Sequence, residues 1–155
     1  EYFMTLAIVA SLKSKDPSTQ FGAVIIDKKT RKVISSGYNG FPRNLDDNQI
    51  PQERPEKYYY VVHAELNAIL HALRDLTDCS LYVTVFPCSE CMKAVVQTGI
   101  KKVVYLNELS GDNWEASKNA TMNLARLANI EVSKFDSQNE IIDYLQSQVN
   151  IRGKE

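Results

Sequence analysis

Two short motifs constrain the fold of this chain more than any other feature. One is His63-Ala64-Glu65, and the other is Pro87-Cys88-Ser89-Glu90-Cys91. An imidazole and two thiolates are ligands that zinc prefers. If they share one ion, the fold must bring together two segments that are well separated along the chain.

The spacing within each motif indicates that both motifs begin a helix. Cys88 and Cys91 are three residues apart, so they share one face of a helical turn. Pro87 suits the entry to a helix, where its missing N–H is not needed. His63 and Glu65 diverge in mid-helix, but from a first turn both can reach the space beyond the helix end. The positive end of a helix also stabilises thiolates. The sequence therefore predicts two helix N termini that face each other.

The number of candidate ligands favours a catalytic metal site. Structural zinc sites are usually closed by four protein ligands, whereas catalytic sites keep one position open for water. Beyond the three candidate ligands, the chain has only His71 and Cys79 as further His or Cys residues. In a helix, His71 would lie about 12 Å from His63, which is too far to share an ion. Cys79 precedes an apolar run and is interpreted as a small buried residue.

Glu65 adds the proton carrier that a hydrolytic zinc site needs. Zinc lowers the pKa of water from about 15.7 toward about 7. Glu65 can accept the water proton, protonate a ring nitrogen and assist the loss of ammonia. Cys-x-x-Cys alone is more often a structural zinc or redox motif. His-x-Glu followed by Pro-Cys-x-x-Cys, however, is typical of deaminases that attack C4 of cytosine or C6 of adenine.

Composition indicates one globular domain spanning residues 1–155. The chain is 44% hydrophobic and 24% charged, and its net charge of −1 argues against a nucleic-acid partner. Three cysteines do not make a disulfide framework, so a reducing, cytoplasmic location is expected. No apolar run approaches the roughly 20 residues that span a membrane, and no signal-peptide pattern is visible. The sequence begins at Glu1 rather than Met, which leaves a longer N terminus open.

The hydrophobic patterns predict a mixed sheet covered by helices on both faces. A hairpin of two strands, at 21–27 and 33–37, is joined by a polar turn. Alternating strands and helices in the second half favour parallel pairing there. The segment 38–60 contains three prolines and is predicted to be mostly a functional loop. Helices are predicted at 2–12, 63–74, 88–99, 114–128 and 140–149, and the remaining strands at 80–86, 102–106 and 130–135.

The chain resembles the deoxycytidylate (dCMP) deaminase family within the cytidine deaminase superfamily. The resemblance covers residues 2–132 and includes both zinc motifs, which the whole superfamily shares. Ser14-Lys15-Asp16-Pro17 and Gly37-Tyr38-Asn39-Gly40 point to the branch that acts on nucleoside monophosphates. The resemblance implies an α/β fold, a three-layer α/β/α sandwich with a five-stranded mixed sheet. It also implies one Zn²⁺ per subunit and a homo-oligomer, often a hexamer.

The resemblance further implies hydrolysis of dCMP to dUMP and ammonia, which supplies dUMP for thymidylate synthesis. By position, His63, Cys88 and Cys91 would bind zinc and Glu65 would be the catalytic proton shuttle. The substrate contacts would be Asn39 with the nucleoside, Ser14 and Lys15 with the 5′-phosphate, and the Ala64 backbone and Pro87 near the base.

Several of these assignments have simpler alternatives. Asn39 before Gly40 also suits a tight turn with positive φ. Lys15 could be an ordinary loop charge, and Lys13 and Arg43 are other phosphate candidates. Tyr58-Tyr59-Tyr60 could stack on a base, but packing in the core or at a subunit interface is favoured. Trp114 is interpreted as a packing residue.

Some members of the resembled family are regulated by dCTP and dTTP at a second site around Gly-Tyr-Asn-Gly and the loop that follows it. The segment 37–42 is retained here, so regulation by a nucleoside triphosphate with Mg²⁺ is a hypothesis. The loop continues Phe41-Pro42-Arg43-Asn44, where a Gly is common at the last position.

Two other functions remain open. One is deamination of a different substrate: a free nucleoside, dCTP, a modified dCMP or a tRNA base. The other is a non-catalytic zinc-binding scaffold, which would have no use for the Glu65 carboxylate.

Overall fold

The computed structural model describes residues 1–136 and 140–147 and contains one five-stranded sheet. The strands are β1 (Gly22–Asp27), β2 (Val33–Tyr38), β3 (Cys79–Val85), β4 (Lys102–Asn107) and β5 (Glu131–Lys134). Their order across the sheet is β2-β1-β3-β4-β5. β1 is antiparallel to both of its neighbours, whereas β3, β4 and β5 are parallel. The predicted hairpin and the predicted parallel half are both confirmed.

Five α-helices accompany these strands in the described residues. They are α1 (Tyr2–Ser11), α2 (Ala64–Ala72), α3 (Ser89–Thr98), α4 (Asp112–Leu127) and α5 (Glu140–Ser147). The predicted last helix extended to Val149, and its final two residues lie outside the described part. Two short 3₁₀ helices, Asp47–Gln49 and Glu56–Tyr59, lie within the long loop between β2 and α2.

The sheet separates two hydrophobic cores, which gives the three-layer arrangement predicted from the sequence. On one face, side chains of α2, α3 and α4 pack against the sheet, among them Ala68, Met92 and Ala125. On the other face, α1 and α5 pack together over residues such as Val24 and Ile26. Continuous apolar strands such as β1 fit this arrangement, because both of their faces are covered. In the described part of the chain, every helix is too short or too polar to cross a bilayer.

α2 lies unusually close to β2, and Gly37 makes this approach possible. A Cβ atom at Gly37 would lie 2.3 Å from the Ala64 carbonyl oxygen and 2.4 Å from the Ala68 backbone nitrogen. The Ser35 hydroxyl donates a 2.7 Å hydrogen bond to the Ala68 carbonyl, and Asn67 donates a 2.8 Å bond to the Tyr38 carbonyl. The start of α2 is therefore held by backbone contact with β2.

Gly37→Ala is expected to lower the free energy of unfolding by about 1–3 kcal/mol, because a methyl group must displace packed backbone. The matched control is Gly40→Ala, where an added Cβ would meet nothing within 4 Å. That variant should stay within about 0.5 kcal/mol of the wild type. Urea unfolding of the three proteins measures the difference, and equal stability of the two variants would contradict the proposed close approach.

Candidate active site

His63 and Cys88 occupy equivalent positions at the starts of two helices. His63 is the N-cap of α2, with φ −71° and ψ 156°, and Cys88 is the N-cap of α3, with φ −71° and ψ 166°. Glu65 and Cys91 lie in the first turns of the same helices. Gly99 ends α3 in the left-handed conformation, as the sequence predicted. The two helix N termini therefore converge on one point.

The three predicted zinc ligands form a compact cluster. The Nδ1 atom of His63 lies 3.4 Å from the Sγ atoms of both Cys88 and Cys91. All three candidate ligand atoms lie within 4.8 Å of one another. Tetrahedral zinc, with bonds of about 2.3 Å to sulfur and 2.0 Å to nitrogen, separates such a nitrogen–sulfur pair by about 3.5 Å. The donor set and its spacing fit a zinc ion with one position left open.

Hydrogen bonds among the three side chains of the cluster shift their pKa values. A hydrogen bond with Cys91 lowers the pKa of Cys88 to about 4, against the effect of burial. The same hydrogen bond raises the pKa of Cys91, because its proton is shared with the Cys88 thiolate. The contact with Cys88 raises the pKa of His63 to about 9. The Cys88 sulfur is therefore held as a thiolate, which is the form of cysteine that binds a metal ion.

Glu65 is buried at the floor of the same site. Only 3% of the residue is exposed, and burial raises the pKa of its carboxyl group. A general acid and base works best when its pKa lies near the working pH, and burial shifts a carboxyl group in that direction. The Glu65 carboxyl lies within hydrogen-bonding reach of Cys91 and lines the same cavity as His63 and Cys88.

The segment before His63 is fixed by the Gly-Tyr-Asn-Gly motif. Gly40 and Val62 exchange two backbone hydrogen bonds of 3.1 and 2.8 Å. The Asn39 side chain accepts a hydrogen bond from the Phe21 N–H at 2.7 Å and donates one to the Thr19 carbonyl at 3.0 Å. Neither Asn39 nor Gly40 has a positive φ, so the alternative of a tight turn is wrong. Asn39 instead ties the end of β2 to the segment that precedes β1, at the wall of the site.

A buried ion pair supports this wall. The Lys57 ammonium lies 2.9 Å from both carboxylate oxygens of Asp16, and their side chains are only 4% and 8% exposed. Asp16 also accepts hydrogen bonds from Ser18 and the Thr19 N–H. Burial acts to raise the pKa of Asp16, but Lys57 and these donors outweigh it and hold the pKa below its usual value. Lys57 is thereby held against the loop that contains Ser14.

Asp16→Asn is expected to lower the free energy of unfolding by about 3 kcal/mol, because it leaves the Lys57 ammonium buried without a counter-charge. Asp47→Asn is the matched control. Asp47 pairs with Lys15 at 3.8 Å on an exposed surface, and its loss should cost less than about 1 kcal/mol. Urea unfolding measures both effects, and similar values for the two variants would contradict the role of the buried pair.

The same pair makes stability depend on pH in a defined direction. Folding lowers the pKa of Asp16 from 3.8. Its contribution is therefore fully present above pH 3.8 and is lost as the pH falls through the lower folded value. The part of the free energy of unfolding that is lost at acidic pH should be absent from the Asp16→Asn variant.

A cavity of about 160 Å³ opens beside the cluster. His63, Ala64, Glu65, Cys88 and Asn39 are among the predicted site residues that line it. The sequence analysis missed several other lining residues, namely Arg54, Lys57, Phe86, Glu108 and Trp114. Phe86 packs edge-on against Tyr105 with ring centroids 5.0 Å apart, and Glu108 bonds to Tyr105 and Lys118. An aromatic wall beside a metal site is suited to a planar heterocycle.

Comparison with known proteins identifies this arrangement. Residues 1–107 match the family model of the cytidine and deoxycytidylate deaminase zinc-binding region. The chain belongs to the cytidine and deoxycytidylate deaminase family. A deoxycytidylate deaminase of Pongo abelii is 41% identical over 142 residues, which cover 87% of this chain and 78% of the relative. The resemblance stated from the motifs is confirmed.

Solved structures agree with the fold of the family. The dCMP deaminase of cyanophage S-TIM5 in apo form has a TM-score of 0.68 and 26% identity, covering 86% of this chain and 94% of that chain. The structure of that enzyme in complex with dCMP and dUMP has a TM-score of 0.65, 24% identity and the same coverage. The three-layer fold predicted for the deaminase is thus shared with solved relatives.

The cavity of about 160 Å³ beside the cluster is called the deaminase cavity below. Three predicted substrate contacts are not among the residues that line it. Lys15 lines a second cavity of about 230 Å³, together with Lys13 and Arg43. The Ser14 hydroxyl is buried and donates to the Asn39 carbonyl at 2.8 Å. Pro87 lines a small adjoining cavity, and its carbonyl accepts a bond from Thr121 at 3.1 Å. The substrate roles of these three residues stay predictions.

The aromatic residues near the site differ from their expected packing. Tyr59 is 89% exposed, so the core alternative is wrong for this residue, while Tyr58 lines the deaminase cavity. Trp114, interpreted as a packing residue, also lines this cavity. Cys79 is buried, as expected, and His71 lies at the far end of α2. Spacing alone did not indicate that the loop aromatics and α4 reach the site.

Proposed function

We propose that this protein catalyses the hydrolytic deamination of dCMP to dUMP and ammonia. The observation that carries this proposal is the His63–Cys88–Cys91 cluster beside the buried carboxyl of Glu65, in a chain related to deoxycytidylate deaminases over most of its length. The three ligands would hold zinc, which when bound lowers the pKa of a water molecule toward neutrality. A single deaminase domain spanning 1–155 is part of this proposal, supported by the one sheet that joins β1 to β5.

The residues around the cluster have distinct roles in this mechanism. Glu65 accepts one proton from water and delivers it to the ring nitrogen of cytosine. It then accepts the second proton of the same water, after the oxygen has bonded to C4, and delivers it to the departing amine. Ala64 begins α2 and lines the cavity. The first N–H groups of a helix have no partner within the helix, so the Ala64 backbone is available to hydrogen-bond the base. Phe86 and Trp114 exclude water and confine the ring.

Further contacts would hold the sugar and the base in register with Glu65. Asn39 has one side-chain N–H bonded to Thr19, which leaves a second N–H for the deoxyribose. Pro87 precedes the N-cap of α3 and lines the adjoining cavity together with Phe86. The Ser14 hydroxyl supports Asn39 by donating a hydrogen bond to the backbone carbonyl of Asn39. These contacts orient C4 of the base rather than take part in proton transfer.

A substrate panel tests the proposal. Zinc-loaded protein should convert dCMP faster than deoxycytidine, cytidine or dCTP, as followed by loss of cytosine absorbance. Preferential hydrolysis of a substrate without a phosphate would reject dCMP as the substrate but keep the deaminase chemistry. Absence of turnover of any cytosine substrate would favour a purine or tRNA substrate or the zinc-binding scaffold.

Regulation by a nucleoside triphosphate with Mg²⁺ is supported by the second cavity. Four cationic side chains line it, namely Lys13, Lys15, Arg43 and Lys57, against two acidic side chains, Asp16 and Asp47. This cavity adjoins the deaminase cavity through Asn39 and Lys57, which line both. An effector bound in the second cavity would therefore contact residues that also line the deaminase cavity. Hyperbolic dCMP kinetics unchanged by dCTP or dTTP would reject this regulation.

A homo-oligomer, with a hexamer favoured, is supported by apolar side chains that remain on the surface. Leu70 and Leu73 of the α2 region are 58% and 92% exposed, and Tyr59 is 89% exposed. Burial of such residues against another copy would remove this apolar area from water. Light scattering coupled to gel filtration measures the assembly, and a monomer at micromolar concentration would contradict it.

A further inference from the structure

Some charged side chains that line the deaminase cavity are paired with a side chain of opposite charge, and others are not. Lys57 is buried and fully engaged with Asp16, and Glu108 is paired with Lys118 and Tyr105. Glu65 belongs to the metal site. Among the residues that line this cavity, Arg54 is the other cationic side chain. The positive charge of Arg54 is not compensated by either of these two ion pairs.

Arg54 lacks an acidic partner within the described residues. Its Nη2 atom donates a 3.3 Å hydrogen bond to the Ser18 hydroxyl, which itself accepts a 2.6 Å bond from Lys57. The guanidinium lies 5.7 Å from the Tyr58 ring centroid. Its Nε atom is buried and has no hydrogen-bond partner among those residues. No described carboxylate lies within 4.0 Å of it.

This arrangement matches the requirements of a bound anion. Arg54 lines the cavity and lacks an acidic partner, so an anion that entered the cavity would gain charge-assisted hydrogen bonds from its guanidinium. The planar guanidinium presents parallel N–H donors that match the oxygens of a phosphate. The contacts with Ser18 and Tyr58 restrict the side chain before binding, so less entropy is lost on contact. A dianionic group is therefore the natural complement to Arg54.

We propose that Arg54 binds the 5′-phosphate of the substrate nucleotide and sets the preference for a nucleotide over a nucleoside. This inference rests on the proposed deamination of dCMP. It moves the phosphate contact from Lys15, which lines the second cavity and whose side chain is 89% exposed. Arg54 shares the cavity with His63 and Glu65, so one molecule can contact both ends.

The test compares product binding with and without the phosphate. Affinities of the zinc-loaded protein for dUMP and deoxyuridine are measured by titration calorimetry. Arg54→Gln should weaken dUMP binding roughly 10- to 100-fold, as for loss of charge-assisted hydrogen bonds, and leave deoxyuridine binding unchanged. Arg54→Lys should recover part of the loss, because it restores the charge but not the planar fork. Arg126→Gln is the matched control, because Arg126 is an exposed arginine of α4 that bonds to Asn123, and it should leave both affinities unchanged. Lys15→Gln is measured beside it as the alternative phosphate contact.

Two results would overturn the assignment. One is an equal loss of dUMP and deoxyuridine affinity in Arg54→Gln, which would indicate a structural role and would accompany a lower melting temperature. The other is unchanged dUMP binding in Arg54→Gln, with or without a selective loss in Lys15→Gln. Failure of the proposed function is distinguishable, since wild-type protein would then not convert dCMP whatever the binding data show.

Discussion

Replacing Glu65 with Gln is expected to lower kcat for dCMP roughly 10²- to 10⁴-fold, the contribution typical of a positioned general acid and base. Gln keeps the size of the side chain but neither accepts nor returns the water proton. The three zinc ligands are unchanged, so the variant should retain its zinc. Steady-state kinetics and metal analysis on the same preparation measure both properties.

The Glu65→Gln change should not lower the stability of the fold. Burial raises the pKa of Glu65, which means that the ionised carboxyl is disfavoured at its site. A neutral amide removes that cost, so the melting temperature should stay the same or rise. The matched control is Glu131→Gln, which makes the same change on β5 at an exposed pair with Lys102. Near-normal turnover by Glu65→Gln would refute the assigned role.

Replacement of Cys88 or Cys91 with Ala is expected to abolish both zinc binding and turnover. Each variant leaves two protein ligands, one fewer than a catalytic zinc site normally has. The zinc content should fall from about one ion per chain to none detectable after dialysis. Elemental analysis measures this directly. Zinc should be lost specifically on replacement of Cys88 or Cys91, because the Sγ atoms of both residues contact His63.

Cys79→Ala is the control for this pair of variants. Cys79 is buried in the core of the sheet face that carries α2 and α3, and it is not part of the metal cluster. Its replacement should cost about 1 kcal/mol of stability through lost packing but keep the zinc. Equal loss of zinc from all three variants would show that the effect is unfolding. Retention of zinc by Cys88→Ala would contradict the ligand assignment.

The parts of the site that the sequence predicted are those fixed by local geometry. His63 and Cys88 each precede an apolar helical pattern, so their places at two helix N termini follow from spacing. β2 and β3 are both antiparallel to β1, so they run in the same direction and end at the same edge of the sheet. Cys88 follows the end of β3, and the bridge between Gly40 and Val62 holds His63 beside the end of β2. These two facts together bring the motifs into contact.

The parts that were missed depend on contacts distant in sequence. Arg54 and Lys57 lie in a proline-containing loop without periodicity, and only the folded chain shows that Lys57 meets Asp16, 41 residues away. Trp114 reads as an ordinary helical residue, since its approach to the cavity depends on how α4 packs against α3. Lys15 was predicted from its position in a motif, but the direction of an exposed lysine is not encoded by spacing.

The central claim is best tested by product analysis of dCMP incubated with the metal-stripped and the zinc-reconstituted protein. The zinc-loaded protein should produce equal amounts of dUMP and ammonia, the stripped protein neither, and Glu65→Gln both at a rate roughly 10²- to 10⁴-fold lower. Equal conversion by the stripped protein, or a zinc-loaded protein that leaves dCMP intact, would contradict the central claim.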